Sequence, residues 1–280
     1  MQNISLKQLL MLAILLGCTL FTFAADKLAL GKPLKVAIEF DTPPYVENHA
    51  KEGFEVEVIK RSLPMYSVTF VQLPWKKISE AIKDGVANVE ANATEGVTHK
   101  NPDDYYYSKN YIGFVNSVIS HKRKAYEIES VENLAEHKII IWRGAHLSLG
   151  PEFNRITEAL RANEKKSNNV KQTDAKKMYI EADDSPTQVK LFWGDPASVT
   201  IMDEAIFREL SVKLSDKQER SMEEVKFHKL HLPVTKFKMA FKDCKTRDDF
   251  NKGLKKICSS GEYAKLMEKY GIPPKANICE

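Results

Sequence analysis

The sequence predicts an α/β fold with two lobes, each a mostly parallel sheet flanked by helices, joined by two hinge strands. Apolar runs of strand-like composition alternate with amphipathic helical segments, which indicates parallel sheets covered by helices. The apolar run 112–120 is long enough to leave one lobe and enter the other, and residues 225–242 can form the return crossing. We therefore expect lobe one at 25–117 and 226–280, and lobe two at 118–225.

Residues 1–24 predict a cleaved secretory signal peptide. Their only charge is Lys7, and the apolar run LLMLAILLGCTLFTFAA is short for a bilayer span and ends in small residues. The alternative is a lipoprotein anchored at Cys18, which the bulky Leu16 and the continuing apolar run disfavour. We expect export and a mature chain of about 255 residues, which is enough for two cores.

Composition argues against several classes of function. The formal net charge of +4 is spread along the chain, which favours neither nucleic acid nor a membrane surface as a partner. No histidine stands at ligand spacing from a cysteine, so no metal site is predicted. Because no phosphate-binding loop or nucleophile–base pair stands out, we expect no cofactor and no catalytic residue.

Lobe one begins with the apolar run 34–40, LKVAIEF, which predicts a strand. The following DTPPY segment predicts a rigid loop, because its two prolines fix the backbone and the first of them restricts Thr42. A helix is then predicted by apolar residues at helical spacing, and a second strand by the run 67–73, SVTFVQL. The helical positions are Phe54, Val58, Ile59 and Leu63.

The next segment predicts an amphipathic helix from 75 to 84. Trp75, Ile78 and Ile82 follow one another at spacings of three and four, and Gly85 stands where a left-handed C-cap is expected. The apolar run 86–94 then predicts a strand that ends at Thr94 and opens into a polar loop. Such a strand end is a common place for an α/β fold to present groups to a ligand.

Lobe two is predicted from a second series of strands and helices. Its strands are expected at 138–144, 176–182 and 198–205, and its helices at 150–163 and 185–194. Ser185 is the expected N-cap of the second helix, because its hydroxyl can accept from an N–H of the first turn.

Three cysteines remain after removal of the signal peptide: Cys244, Cys258 and Cys279. An odd number in an exported chain indicates one disulfide and one free thiol. We prefer the pair Cys258–Cys279, which would tie the proline-rich tail to the last helices. The alternative is that Cys258 is a small buried residue on the apolar face of its helix.

The order of these elements resembles family 3 extracellular solute-binding proteins, the periplasmic receptors that feed amino acids to ABC importers. In that family a Gly-x-x-Asp step leads into a strand, and a Thr-Pro-Glu-Arg loop precedes Phe-Ser-x-Pro-Tyr. Here the matching positions are Gly85-x-x-Asn88, Thr98-His99-Lys100-Asn101 and Tyr107-Ser108-x-x-Tyr111. The resemblance implies the periplasmic binding protein-like II fold with hinge closure around a cleft.

The resemblance also implies ligand contacts in lobe one. Glu39 and Thr42 match the positions of an acidic or polar group and a stacking aromatic, and because Thr42 cannot stack, Phe40, Tyr45 or Trp75 is expected to do so. Tyr45 and Trp75 have a core or rim location as the alternative. Thr94 matches a position at which the family uses backbone and hydroxyl groups to bind the ligand carboxylate.

The clamp arginine of the family has no counterpart in this sequence. Counting onward from the strand places Lys100 at the clamp position, and counting back from Tyr107 places Asn101 there. A lysine attracts an anion as a flexible point charge rather than as a bidentate fork. The alternative for Lys100 is a solvated loop charge.

In lobe two the family's Gly-Thr-Thr loop is replaced by Arg143-Gly144-Ala145-His146. Arg143 and the N–H groups of Gly144 and Ala145 are expected to contact an anion, with pairing of Arg143 to a surface acid as the alternative. Asp203 matches the family's acid that pairs with the ligand ammonium, with helix capping as its alternative.

The resemblance implies a monomeric periplasmic protein that captures a small polar ligand, such as an amino acid, for an ABC permease in the inner membrane. A ligand sensor or partner-binding protein of the same fold is the alternative. A dehydratase-like enzyme is a further one, with Glu39, Glu95 and His99 as acid–base candidates.

Overall fold

A computed structural model describes residues 31–94, 98–99, 101–167, 178–213 and 222–279. These residues form two sheets with helices packed against them, which confirms the predicted α/β class. The predicted signal peptide, Lys100 and Glu95 lie outside the described residues.

The first sheet contains six strands: β1 Lys32–Ile38, β2 Tyr66–Gln72, β3 Val89–Ala93, β4 Tyr106–Tyr107, β5 Ile112–Phe114 and β11 Thr235–Phe241. β1 lies between β2 and β3 and is parallel to both. β11 runs antiparallel to β3, β4 and β5, so the returning chain completes this sheet. The accompanying helices are α1 Phe54–Ser62, α2 Trp75–Ile78, α6 Cys244–Ser259 and α7 Glu262–Lys269.

The second sheet has the order β10–β6–β9–β7–β8. Its strands are β6 Asn116–His121, β7 Lys138–Trp142, β8 Tyr179–Ala182, β9 Ser198–Asp203 and β10 Val225–His228. β7 is parallel to β8 and β9, whereas β6 is antiparallel to β9 and β10. The helices α3 Pro151–Ser167, α4 Ser185–Gly194 and α5 Glu204–Lys213 accompany these strands.

One apolar core extends across the junction of the two sheets. A Cβ at Gly253 in α6 would overlap the backbone carbonyl of Ser62 in α1, so the close crossing of these helices requires glycine. Phe250 beside this crossing belongs to the same core cluster as Phe192 and Phe207 of α4 and α5. Helices from both sides of the junction therefore share continuous packing.

Two short connections link the sheets. β5 and β6 are separated by Val115 alone, whose N–H donates to Asp203 at 2.9 Å. The second connection leads from β10 to β11, and Asn116 Nδ2 at the first connection donates to Thr235 Oγ1 at the second, at 3.0 Å. Residues 226–228 pair within the second sheet, and the expected lobe boundary at 226 stays a prediction.

The helix expected from 75 to 84 is much shorter than predicted, because α2 ends at Ile78. The N–H of Ile82 donates to Glu90 Oε1 at 2.9 Å instead of continuing the helical ladder. Turns carry the chain on to Gly85, which has the positive φ of 70° expected of a C-cap. Ile78 and Ile82 are buried, so the apolar pattern identified the buried face and overestimated the helix length.

The described cysteines include one pair and one free thiol. Cys258 and Cys279 form a disulfide with Cα atoms 5.4 Å apart, which joins α6 to the chain beyond α7. Cys244 is free and exposed. Among the described residues, no helix combines the length and apolarity needed to cross a membrane.

Candidate ligand-binding cleft

A cleft of about 380 Å³ lies between the two sheets. Strand ends from both sheets reach it: Glu39 follows β1, Thr94 follows β3, Arg143 follows β7, and Asp203 ends β9. Ligand sites of open α/β sheets form at such carboxyl ends, because the loops there are free to turn toward a shared crevice. The volume suits a small molecule.

The walls of the cleft are largely apolar, with polar groups distributed among them. The apolar lining consists of Trp75, Ile78, Ala91, Phe114, Trp142, Leu147, Met202, Ile206 and Phe237. The uncharged polar lining consists of Ser79, Asn92, Thr94, Thr98, Asn116, Ser148, Ser185, Gln188 and Thr235. The charged lining residues in the described part of the chain are Glu39, Lys76, Arg143 and Asp203.

Glu39 crosses the cleft from the first sheet. Its Oε1 accepts from the N–H of Ser185 at 2.9 Å, and the side chains of Ser185 and Trp75 also hydrogen-bond to the carboxyl group. Burial raises the pKa of Glu39 to about 7, although these hydrogen bonds oppose the rise. A carboxyl group of the protein therefore occupies the start of α4.

The N-cap of α4 lies one residue earlier than predicted. Asp184 adopts the cap position, and its Oδ1 accepts from the N–H of Thr187 at 2.7 Å. Ser185 is instead the first helical residue, and its N–H points to Glu39. The aspartate displaces the serine as the cap because its carboxylate is also a strong acceptor at this position.

Asp203 joins both sheets and caps its own helix. Its Oδ1 accepts from the N–H groups of Ala205 at 3.0 Å and Ile206 at 3.3 Å, at the start of α5. Its Oδ2 accepts from Val115 N at 2.9 Å and from the Tyr45 hydroxyl at 3.2 Å. Burial raises the pKa of Asp203 to about 6, against the effect of these hydrogen bonds. Asp203 therefore both caps α5 and lines the cleft.

Arg143 and Gly144 contact carboxylates of the protein itself. Arg143 Nε lies 2.7 Å from Asp183 Oδ1, and its Nη1 lies 3.5 Å from Glu181 Oε2. The N–H of Gly144 donates to Glu181 Oε1 at 2.8 Å. The acid pairing considered for Arg143 is therefore what the structure contains, with an arginine side chain that is 44% exposed.

Residues 34–273 match the family model of bacterial extracellular solute-binding proteins, family 3. The chain belongs to this family. A search of curated protein sequences found no match.

Solved structures similar to this family 3 protein share its fold at low sequence identity. EhuB in complex with hydroxyectoine is 20% identical with a TM-score of 0.62, covering 86% of this chain and 89% of its own. The P235GK mutant of ArgBP from T. maritima is 15% identical with a TM-score of 0.61, covering 86% and 96%. An ancestral arginine-binding protein bound to glutamine is 18% identical with a TM-score of 0.60, covering 87% and 100%. The fold is that of type II periplasmic binding proteins.

The structure brings most of the predicted contact residues to one cleft. Those that line it are Glu39, Trp75, Thr94, Arg143, Gly144 and Asp203. Thr42 and Tyr45 lie outside the lining: Thr42 is buried with its hydroxyl donating to Phe40 O at 2.8 Å, and Tyr45 packs between Phe54 and Phe114. Which of these residues touch a ligand stays a prediction.

Several lining residues were absent from the sequence-based set. Phe114, Trp142 and Phe237 supply aromatic surface, and Asn92 adopts a positive φ of 56° beside them. Gln188 lies on the first turns of α4, where the helical pattern gave no reason to prefer it. A signal existed for Trp142, because it ends an apolar strand immediately before the Arg143 loop.

His99 forms a closed cluster rather than a free acid–base group. Its Nε2 lies 2.6 Å from Glu90 Oε2, and its Nδ1 lies 2.6 Å from the Tyr107 hydroxyl. The ring also stacks on Tyr105 with a centroid separation of 3.7 Å. Both ring nitrogens therefore have partners outside the cleft lining. No group of three or more potential metal ligands occurs in the described chain.

Proposed function

We propose that this family 3 protein captures a small polar ligand, an amino acid or a related compound, in the cleft and delivers it to an ABC importer. The observation that carries the proposal is the convergence of strand ends from both sheets on one volume of about 380 Å³. Such a volume with apolar walls and a few polar groups is typical of small-molecule sites. The family membership supports the same reading.

Closure of two lobes over the ligand is the binding step that we propose, with lobe one at 25–117 and 226–280 and lobe two at 118–225. Contacts across the cleft support it. Besides the bond from Ser185 to Glu39, the N–H of Trp75 donates to Asp183 O at 3.1 Å. A ligand that touches both sides adds to these contacts and shifts the population toward the closed arrangement.

Export to the periplasm after cleavage of residues 1–24, and a permease in the inner membrane as partner, complete the proposal. Arginine-binding proteins among the similar structures favour an amino acid or a compound related to one. We include no catalytic step, because the two buried carboxyl groups of the cleft accept hydrogen bonds from structural donors rather than facing a nucleophile.

The decisive experiment is thermal unfolding of the mature chain against a panel of amino acids, polyamines and organic acids. A ligand at about 100 times its dissociation constant adds roughly 2.7 kcal/mol and raises the midpoint visibly. Trp75 and Trp142 line the cleft, so binding is also expected to change tryptophan fluorescence. Absence of any shift across a broad panel would contradict small-ligand capture.

A pair of variants separates cleft binding from general effects on stability. Leu147 lines the cleft and is 50% exposed, so Leu147→Glu places a charge in the cleft at small folding cost. Met65 is 76% exposed outside the lining, which makes Met65→Glu a matched control. We expect Leu147→Glu alone to abolish the ligand-induced shift. Uptake of the labelled ligand by cells lacking the protein then tests delivery to the importer.

A further inference from the structure

We propose that the cleft selects an organic amine with an apolar body and no free carboxylate, and that Gln188 Oε1 accepts a hydrogen bond from the N–H donor of that ligand. The inference rests on the proposed function and narrows its ligand class. It follows from which polar groups of the cleft already have partners within the protein and which do not.

Two donors that could hold a ligand carboxylate in the loop after β7, the Arg143 guanidinium and the N–H of Gly144, already have partners. Glu181 Oε1 accepts from Gly144 N at 2.8 Å, and Asp183 Oδ1 pairs with Arg143 Nε at 2.7 Å. A carboxylate arriving here would meet two fixed negative groups and would have to displace one of them. Arg143 is thus balanced by the chain itself.

The start of α4 is occupied in the same way. The N–H of Ser185 donates to Glu39 Oε1 at 2.9 Å, and the N–H of Thr187 donates to Asp184 Oδ1 at 2.7 Å. The N–H of Gln188 donates to Asp184 O at 3.0 Å. A helix N-terminus favours an anion through such N–H groups, and here a protein carboxylate fills that role.

Lys76 is the other described cation on the lining. It is an exposed residue of the short helix α2, so it is a flexible and solvated charge at the edge of the cleft. Its position contrasts with that of Glu39 and Asp203, whose carboxyl groups are buried at the cleft. The buried ionisable groups of the described lining are therefore both carboxyl groups, which disfavours a ligand carboxylate beside them.

Gln188 carries the one polar side-chain atom of the described lining that is buried without a partner, its Oε1. The orientation of the amide is fixed by its neighbours. Nε2 donates to Ile201 O at 2.9 Å and to Thr200 Oγ1 at 2.8 Å, and Thr200 in turn donates to Ile140 O at 2.8 Å. Because a carbonyl oxygen only accepts, Nε2 must face this side and Oε1 the other.

An unpaired buried acceptor costs free energy until a donor reaches it. The side chain of Gln188 has no exposed surface in this arrangement of the cleft, so a small movement of the lining is needed to admit that donor. A ligand N–H group supplies that donor. Aromatic side chains surround the same volume: Trp75, Phe114, Trp142 and Phe237. Such rings can pack against an apolar ligand body, and their faces attract a cation. The lining thus matches a donor with an apolar body better than it matches a zwitterion.

The test compares amino acids with the amines that lack only their carboxylate, using thermal shift and calorimetry. Suitable pairs are arginine with agmatine, lysine with cadaverine, histidine with histamine, and tryptophan with tryptamine. We expect at least one amine to bind at least tenfold more tightly than its amino acid. Equal or tighter binding of the amino acids would overturn the ligand class and leave the proposed function standing. Absence of binding by every compound in these pairs would also overturn the proposed ligand class. The broader panel of amino acids, polyamines and organic acids then tests the proposed function separately.

Two variants test Gln188 on the amine that binds. Gln188→Met removes the unpaired acceptor in a side chain of similar length, and we expect at least tenfold weaker binding. Thr200→Val is the structural control, because it removes the partner of Nε2 and leaves Oε1 in place. We expect Thr200→Val to lower the melting temperature with less than a threefold change in affinity. Equal losses of affinity in both variants would assign Gln188 a purely structural role.

Discussion

Glu39 and Asp203 are buried carboxyl groups on opposite sides of the cleft, and they differ in where their hydrogen-bond donors come from. Asp203 accepts from the first turn of the helix that follows it as well as from Val115 and Tyr45. Glu39 caps no helix next to it in the chain, and its backbone donor is the N–H of Ser185 in α4, a helix that accompanies the second sheet. Asp203 therefore stabilises local structure and the junction together, whereas Glu39 acts mainly across the cleft.

Removal of Asp203 should produce the largest loss of stability. Asp203→Ala leaves buried donors unpaired and removes the cap of α5, so we expect the free energy of unfolding to fall by about 4 kcal/mol. Urea denaturation measures the change. Asp203→Asn keeps a good capping group and should recover about half of the loss. Full stability in the alanine variant would show that the capping hydrogen bonds contribute little.

The titration of Glu39 should produce the second largest effect. Its folded-state pKa of about 7 lies above the ordinary value of 4.5, so the folded state holds this proton more tightly than the unfolded chain does. The stabilisation is complete below pH 4.5 and is lost as the pH rises through 7. Glu39→Gln should reduce the fall in stability across this range by up to about 3 kcal/mol.

The measurement for Glu39 is urea denaturation at a series of pH values from 4.5 to 8. Glu129 is exposed, so Glu129→Gln provides a control that keeps the wild-type dependence on pH. Glu55 and Asp203 also have raised pKa values, and part of the dependence will therefore remain in Glu39→Gln. An unchanged curve for Glu39→Gln would mean that this carboxyl group titrates normally.

The sequence was more informative about strands than about the polar contacts at their ends. Apolar runs located β1, β3, β7 and β9, and with them the positions of Glu39, Thr94, Arg143 and Asp203 at strand ends. The predicted length of α2 was wrong because the N–H of Ile82 donates to Glu90 instead of continuing the helix. The periodicity of apolar residues gives no information about such a side-chain contact.

The partners of the cleft carboxyl groups lie far away in sequence, which explains why they could not be predicted. Tyr45 and Asp203 are 158 positions apart, and Ser185 and Glu39 are 146 apart. Gln188 was missed for a related reason, because its role follows from what Thr200 and Ile201 leave unpaired. The local sequence pattern identifies helices and strands, whereas hydrogen bonds between distant residues form only when the two sheets are assembled.

Loss of the Tyr45 hydroxyl should have a moderate effect that isolates the contact between the two sides at Asp203. Tyr45→Phe keeps the ring packing against Phe54 and Phe114 and removes the 3.2 Å bond to Oδ2. We expect a loss of about 1 kcal/mol in unfolding free energy. In the Asp203→Ala background the same change should cost clearly less, because the acceptor is already absent. Equal costs in both backgrounds would show that the hydroxyl and the carboxylate are not coupled.

The smallest effect is expected at the surface pair that spans the two sides of the molecule. Lys213 Nζ in α5 lies 3.1 Å from Glu47 Oε1 in the loop after β1, and their side chains are 50% and 28% exposed. Exposed ion pairs contribute little, since water and salt screen the charges, so Lys213→Ala should change the free energy of unfolding by less than about 1 kcal/mol. Denaturation at low and high salt measures this, and the small difference should shrink further at high salt. A loss comparable with that of Tyr45→Phe would place the main contact between the two sides at the surface rather than at the buried carboxyl groups.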